Sequence, residues 1–111
     1  MRQELQTKLY EDYPQLLQTT LAIGDGWYEI LRKTCQDIMA TSPQSDYRFV
    51  QIKEKFGGLR IYTDPYVEDL QGFIKEAESK SFKTCEKCGD TETAMIRGKG
   101  WIQTLCEKCD E

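Results

Sequence analysis

The sequence predicts an α+β domain: helices packed on a short antiparallel sheet, with a C-terminal four-cysteine ribbon integrated into the same fold. Three observations carry this. Apolar residues recur at helical spacing through the first forty residues. The period then switches to two at Tyr47. Finally, four of the five cysteines fall in a C-x2-C-x17-C-x2-C pattern near the C-terminus.

In chain order, Arg2 to Leu9 places Leu5 and Leu9 at i, i+4 and predicts a short helix with one buried stripe. Pro14 opens a second short turn carrying Leu16, Leu17 and Leu21, broken by Gly24-Asp25-Gly26. Asp25 stands where an N-cap belongs, and Trp27, Ile30, Leu31, Cys35, Ile38 and Met39 follow at helical spacing. The main helix is therefore expected over Gly26 to Ala40, stopped by Thr41-Ser42-Pro43. Two β-rich runs, Tyr47 to Lys53 and Leu59 to Thr63, flank Gly57-Gly58 and predict a hairpin turning at the glycine pair. Asp64-Pro65 closes it, and a helix follows from Val67 to Ser79 with Val67, Leu70, Phe73, Ile74 and Ala77 on one face. Gly72 inside that helix costs about 1 kcal/mol relative to alanine. No linker composition separates residues 81–111 from the rest, so a body of residues 1–80 and a tail of residues 81–111 are expected to pack as one domain.

Composition narrows the chemistry. The chain has 111 residues, a formal net charge of -4 and no histidine. It is long enough for one core and too short for a large multi-site enzyme. The absent imidazole removes Ser-His-Asp and Cys-His triads and histidine-ligated metalloenzymes, so no catalytic residue is assigned. No apolar run approaches the roughly 20 residues of a membrane span, and no apolar segment of signal-peptide type opens the sequence. A cytoplasmic location is expected, where clustered cysteines more often hold metal than form disulfides.

Cys85-Glu86-Lys87-Cys88 and Cys106-Glu107-Lys108-Cys109 repeat one tetrapeptide. Two cysteines three apart on a tight turn aim both sulfurs at one point, and two such turns complete a tetrahedron at about 2.3 Å per Zn–S bond. Thr91 to Arg97 and Trp101 to Leu105 form a second expected hairpin about Gly98-Lys99-Gly100, which brings the turns together. Cys85, Cys88, Cys106 and Cys109 are thus read as a zinc ribbon with one Zn2+ per chain. Iron in the same four thiolates, or disulfides, are the alternatives. Four cysteines close the tetrahedron, which makes the zinc structural, worth on the order of 10 kcal/mol of local folding energy.

Other candidates have two readings each. Lys53, Lys55, Phe56, Gly57, Gly58 and Arg60 bring three charges, an aromatic ring and a permissive backbone to one turn, either a partner-binding surface or an ordinary hairpin end. Trp27, Tyr28 and Trp101 are read first as packing between tail and body, with ligand stacking the alternative; Trp101, beside Lys99 and Arg97, joins the candidate surface. Cys35 sits at a core position and reads as a buried, inert thiol.

Gly24-Asp25-Gly26-Trp27, the run Lys53-Glu54-Lys55-Phe56-Gly57-Gly58-Leu59-Arg60-Ile61-Tyr62, and the tail strings Thr84-Cys85-Glu86, Cys88-Gly89, Gly100-Trp101 and Thr104-Leu105-Cys106 together resemble a family of small, largely uncharacterised proteins of tailed bacteriophages, prophages and bacteria. The resemblance implies a phage-type setting in the host cytoplasm and a metal-binding tail. It implies no reaction. The chain departs from it in having Cys109 where some relatives carry a histidine. The sequence thus leads to a non-enzymatic zinc protein that binds and modulates a host or phage protein. A nucleic-acid-binding ribbon is the alternative, disfavoured because no segment holds a basic block, and an enzyme is less favoured still.

Overall fold

In the computed structural model, which describes residues 1–41 and 47–110, each switch of sequence period produces a switch of element. Helix α1 (Gln3–Asp12) buries Leu9. The chain then makes a turn over Pro14, Gln15 and Leu16, closed by Leu17 N–H donating to the Tyr13 carbonyl at 2.9 Å, with Leu16 and Leu17 buried, and runs on into strand β1 (Leu21–Ala22). Leu21, expected in the same short turn as Leu16 and Leu17, lies beyond it in a strand. The segment lies beside the next strand, where Phe49 N–H donates to the Leu16 carbonyl at 2.8 Å. A leucine pattern too short to sustain a helix serves here to cover a sheet edge.

A 3-10 turn, Asp25–Trp27, leads directly into helix α2 (Tyr28–Thr41). Asp25 does not cap it: no side-chain cap bond is present at this turn. The Asp25 carboxylate accepts instead from Arg2 N–H at 2.7 Å and pairs with Arg2 Nε at 2.9 Å, which fastens the start of α1 to this loop. Of the expected Thr41-Ser42-Pro43 stop, Ser42 and Pro43 lie outside the described residues.

Strands β2 (Arg48–Lys55) and β3 (Gly58–Asp64) form the antiparallel hairpin, and β1 joins β2 in parallel, so the sheet is mixed with order β1-β2-β3. The turn is Phe56-Gly57, one residue earlier than the glycine pair suggested. Both residues have positive φ, 54° and 85°, as a two-residue turn matching the strand twist demands. Gly58 is the first residue of β3 and is required for a different reason: a Cβ there would come within 2.5 Å of the Phe82 ring. Helix α3 (Gln71–Ser81), preceded by a 3-10 turn at Glu68–Leu70, starts four residues later and ends two later than expected. It crosses the boundary placed between residues 80 and 81. Leu70, Ile74 and Ala77 are buried against α2 and the sheet, with Val67 and Phe73 partly buried beside them.

The tail forms a second, two-stranded antiparallel sheet, β4 (Met95–Arg97) and β5 (Gln103–Leu105). It joins the body through buried polar contacts. Trp27, fully buried, donates its Nε1–H to the Thr84 carbonyl at 2.8 Å. Ser81 Oγ accepts from Leu59 N–H at 2.9 Å, and the Thr104 hydroxyl donates to the Gly57 carbonyl at 2.6 Å.

Two glycines separate packing from propensity. A Cβ on Gly26 would overlap the Cys85 carbonyl oxygen and approach Glu86 C and Gly89 N to 2.6 Å, whereas one on Gly72 meets nothing within 4 Å. Gly26→Ala should therefore destabilise the protein by about 2–3 kcal/mol through forced displacement of the tail. Gly72→Ala should stabilise it by about 0.5 kcal/mol through unfolded-state entropy. Denaturant titrations of both variants check the opposite signs.

Candidate metal centre

The sulfurs of Cys85, Cys88, Cys106 and Cys109 converge, all within 4.8 Å of one another. Cys88 Sγ and Cys106 Sγ are 3.6 Å apart. That is far beyond the roughly 2.05 Å of a disulfide and close to the edge, about 3.8 Å, of a tetrahedron with 2.3 Å metal–sulfur bonds. All five cysteines are free thiols. The donor set fits one metal ion held by four sulfurs.

The repeated tetrapeptide folds twice into the same turn. Gly89 N–H donates to the Cys85 carbonyl at 2.9 Å, and Asp110 N–H donates to the Cys106 carbonyl at 3.1 Å, the equivalent position in the second copy. Gly89 takes a φ of 86°, open to glycine at little cost. In each turn the glutamate's backbone N–H is bound by the opposite arm. Glu86 N–H donates to the Thr104 carbonyl at 3.0 Å, and Glu107 N–H donates to Thr93 Oγ1 at 2.9 Å. Thr93 is itself fixed by Asp90, whose carboxylate accepts from its N–H and hydroxyl at 3.0 and 3.1 Å. The two turns are thus held face to face, the first by a backbone bond to Thr104 and the second by the Thr93 side chain.

Electrostatics favours thiolate at Cys85 and opposes it at Cys88 and Cys109, where the crowded neighbouring sulfurs push the thiols up, Cys109 to about 12. Burial alone would raise the Cys85 thiol, but backbone N–H groups of Cys106, Cys88 and Lys87 outweigh it and bring it down to about 6. Cys109 N–H also points at Cys106 Sγ, 3.4 Å away. Amide dipoles aimed at sulfur are the usual support of a metal thiolate.

The Gly24-Asp25-Gly26-Trp27 string belongs to this centre, which its reading as a helix start missed. Gly26 N–H donates to the Glu86 carbonyl at 2.7 Å, and Gly24 N–H donates to the Glu86 carboxylate at 3.0 Å. The two glycines leave room for the first cysteine turn to seat on bare backbone; a Cβ on Gly24 would stand 2.5 Å from the Glu86 carbonyl oxygen.

The remaining candidate residues divide. Gly57 and Gly58 are buried at the junction with the tail, and Arg60 is half-buried and paired with Glu78 at 3.4 Å. Lys53 is partly buried, while Lys55 and Phe56 are exposed, with the Lys55 ammonium 5.7 Å from the Phe56 ring centre. Trp101, expected to pack tail on body, is 75% exposed on the β4–β5 turn; Trp27 does that packing. Tyr28 is partly buried against the core, and Cys35 is fully buried.

Comparison with protein-family models, with curated proteins and with solved structures gives no significant match in any of the three.

Burial pushes the Cys35 thiol from its ordinary 9.0 to about 12. Raised in the fold, it contributes stability that is intact below pH 9 and falls by roughly 1.4 kcal/mol per pH unit as pH climbs from 9 towards 12. Cys35→Ala lacks this titration, so the stability gap between wild type and variant should narrow from pH 9 upward in denaturant titrations. At pH 8, thiol reagents should modify Cys35 only after unfolding.

Proposed function

We propose that the chain is a small zinc-binding protein that acts by binding another protein, with the zinc structural. The observation that carries this reading is the closed donor set. Four cysteine sulfurs supply a whole tetrahedron, whereas a catalytic zinc keeps a position open for water or substrate. The thiolate-only set suits zinc, and the bonds from Gly24, Gly26 and Trp27 to residues 84–86 make it a tertiary clasp.

The binding surface in this reading is the exposed part of the interlocked hairpins. Phe56, 66% exposed, stands beside Gly57, whose carbonyl is held by Thr104 of β5; Trp101 is carried on the turn that enters β5. Exposed aromatics are residue types that anchor protein interfaces. The resemblance to phage-encoded proteins suggests that the partner is a host or phage protein met in the host cytoplasm.

Elemental analysis of reduced protein should give close to one zinc per chain; iron, or no metal, overturns the zinc assignment. Chelation should shift Trp27 fluorescence, because the loop that buries it rests on the Cys85 turn, and Trp101, already exposed, should contribute little. Affinity capture with zinc-loaded protein should retain a host or phage protein at moderate salt and lose it on Phe56→Ser with Trp101→Ser. Retention on heparin that falls steeply with salt would favour nucleic acid instead.

A further inference from the structure

Strand β3 is one edge of the three-stranded sheet. Leu59 N–H points away from β2 and is taken by Ser81 Oγ at the end of α3. Alternation along the strand turns the backbone groups of Ile61 and Thr63 outward in the same sense, and neither has a side chain or loop bonded to it among the described residues. Beyond Ser81, β3 and α3 diverge around a groove of about 280 Å³ lined by Arg60, Ile61, Tyr62, Thr63, Tyr66 and Lys75 among others. That is below the usual 300–1,000 Å³ of a small-molecule pocket.

The groove lacks hydrogen-bond partners. Arg60 Nε and Thr63 Oγ1 are both buried and unpartnered, a state that costs about 1–3 kcal/mol per group. Tyr62 and Tyr66 leave 44% and 68% of their surface exposed at its rim. Lys75 is exposed and has no ion-pair partner among the described residues, whereas Glu78, the acidic lining residue, is occupied by Arg60.

We propose that this groove binds an extended segment of a protein partner, added as a fourth strand along Ile61–Thr63, with an acidic side chain of that segment meeting Lys75. The proposal deepens the binding role above and rests on it, but names a different surface. An extended strand satisfies outward N–H and C=O groups at two-residue intervals while alternate side chains reach the pocket and the rim. A second copy of this chain fits less well: Ser81 already occupies the edge at Leu59, and α3 flanks the rest, which leaves too short a stretch for two folded sheets to join. The excess positive charge at Lys75 selects an acidic segment over a basic one.

The probe is a phage-displayed library of random heptapeptides panned against the metal-loaded full chain. Strand-forming sequences with an Asp or Glu should be enriched. A synthetic copy of the best should shift the amide resonances of Ile61 and Thr63. Lys75→Glu should weaken it about tenfold. Thr63→Pro, which removes an outward donor at an edge position, should weaken it several-fold. No enrichment, or peptides that bind both variants like the wild type, overturns the proposal. So does a dimer in which the Ile61 and Thr63 amides are protected without peptide. Peptides that shift Phe56 and Trp101 instead overturn the groove and leave the binding role standing. Loss of that role would show separately, as failure to capture any partner.

Discussion

Everything in this molecule depends on one backbone contact, the seating of Gly24–Trp27 on the turn that begins at Cys85. The contact is possible because two residues have no side chain to keep the strands of chain apart, and it is held by hydrogen bonds into Glu86 and Thr84. On one side it sets the start of α2, and through Arg2 and Asp25 the start of α1. On the other it fixes the turn that presents Cys85 and Cys88 to Cys106 and Cys109. The hydrophobic core and the cysteine centre are therefore two ends of one construction. The Trp27 indole, buried in the body core where it stabilises by roughly 3 kcal/mol, finds its hydrogen-bond partner in Thr84, next to the cysteine turn.

A second clasp repeats the logic from the far side of the sheet. The Phe56-Gly57 turn offers its carbonyl to Thr104, and Gly58 yields its side-chain space to Phe82. The hairpin tip, which in isolation looks like a loop free to meet a partner, is half consumed in holding the tail. What it leaves outside is Lys55 and Phe56, with Trp101 on the neighbouring turn. Burial has thus sorted the candidate residues: the glycines serve the fold, and the side chains that remain outside are those a binding surface would use.

The elements with a strong period were legible in the sequence. The α2 stripe through Leu31, Cys35 and Ile38, the β2–β3 hairpin and the four cysteines with their spacing all stand where the residue pattern put them. Four features were not, each because a tertiary partner outvoted a local preference. Leu21 is spaced as a helical residue but pairs in parallel with β2, a contact about thirty residues away that no local window contains. Asp25 has the chemistry of a helix cap, yet Arg2 supplied a better partner. Trp101 was expected to share the packing of tail on body with Trp27, yet it stands outside on the β4–β5 turn and Trp27 alone is buried. The role of Gly24 and Gly26 was hidden for the same reason: glycine reads locally as a break, and only the tail reveals it as a seat.

The bond from Gly24 to Glu86 spans 62 positions of chain. During synthesis, the first helices and the hairpin are made before Thr84 and Glu86 exist, so for that interval the Trp27 indole N–H and the Gly24 and Gly26 amides lack their partners. The contacts that tie the body to its tail can therefore form only late in synthesis. The second cysteine turn arrives last of all, so any metal the four sulfurs take would be bound only once the rest of the chain has been made.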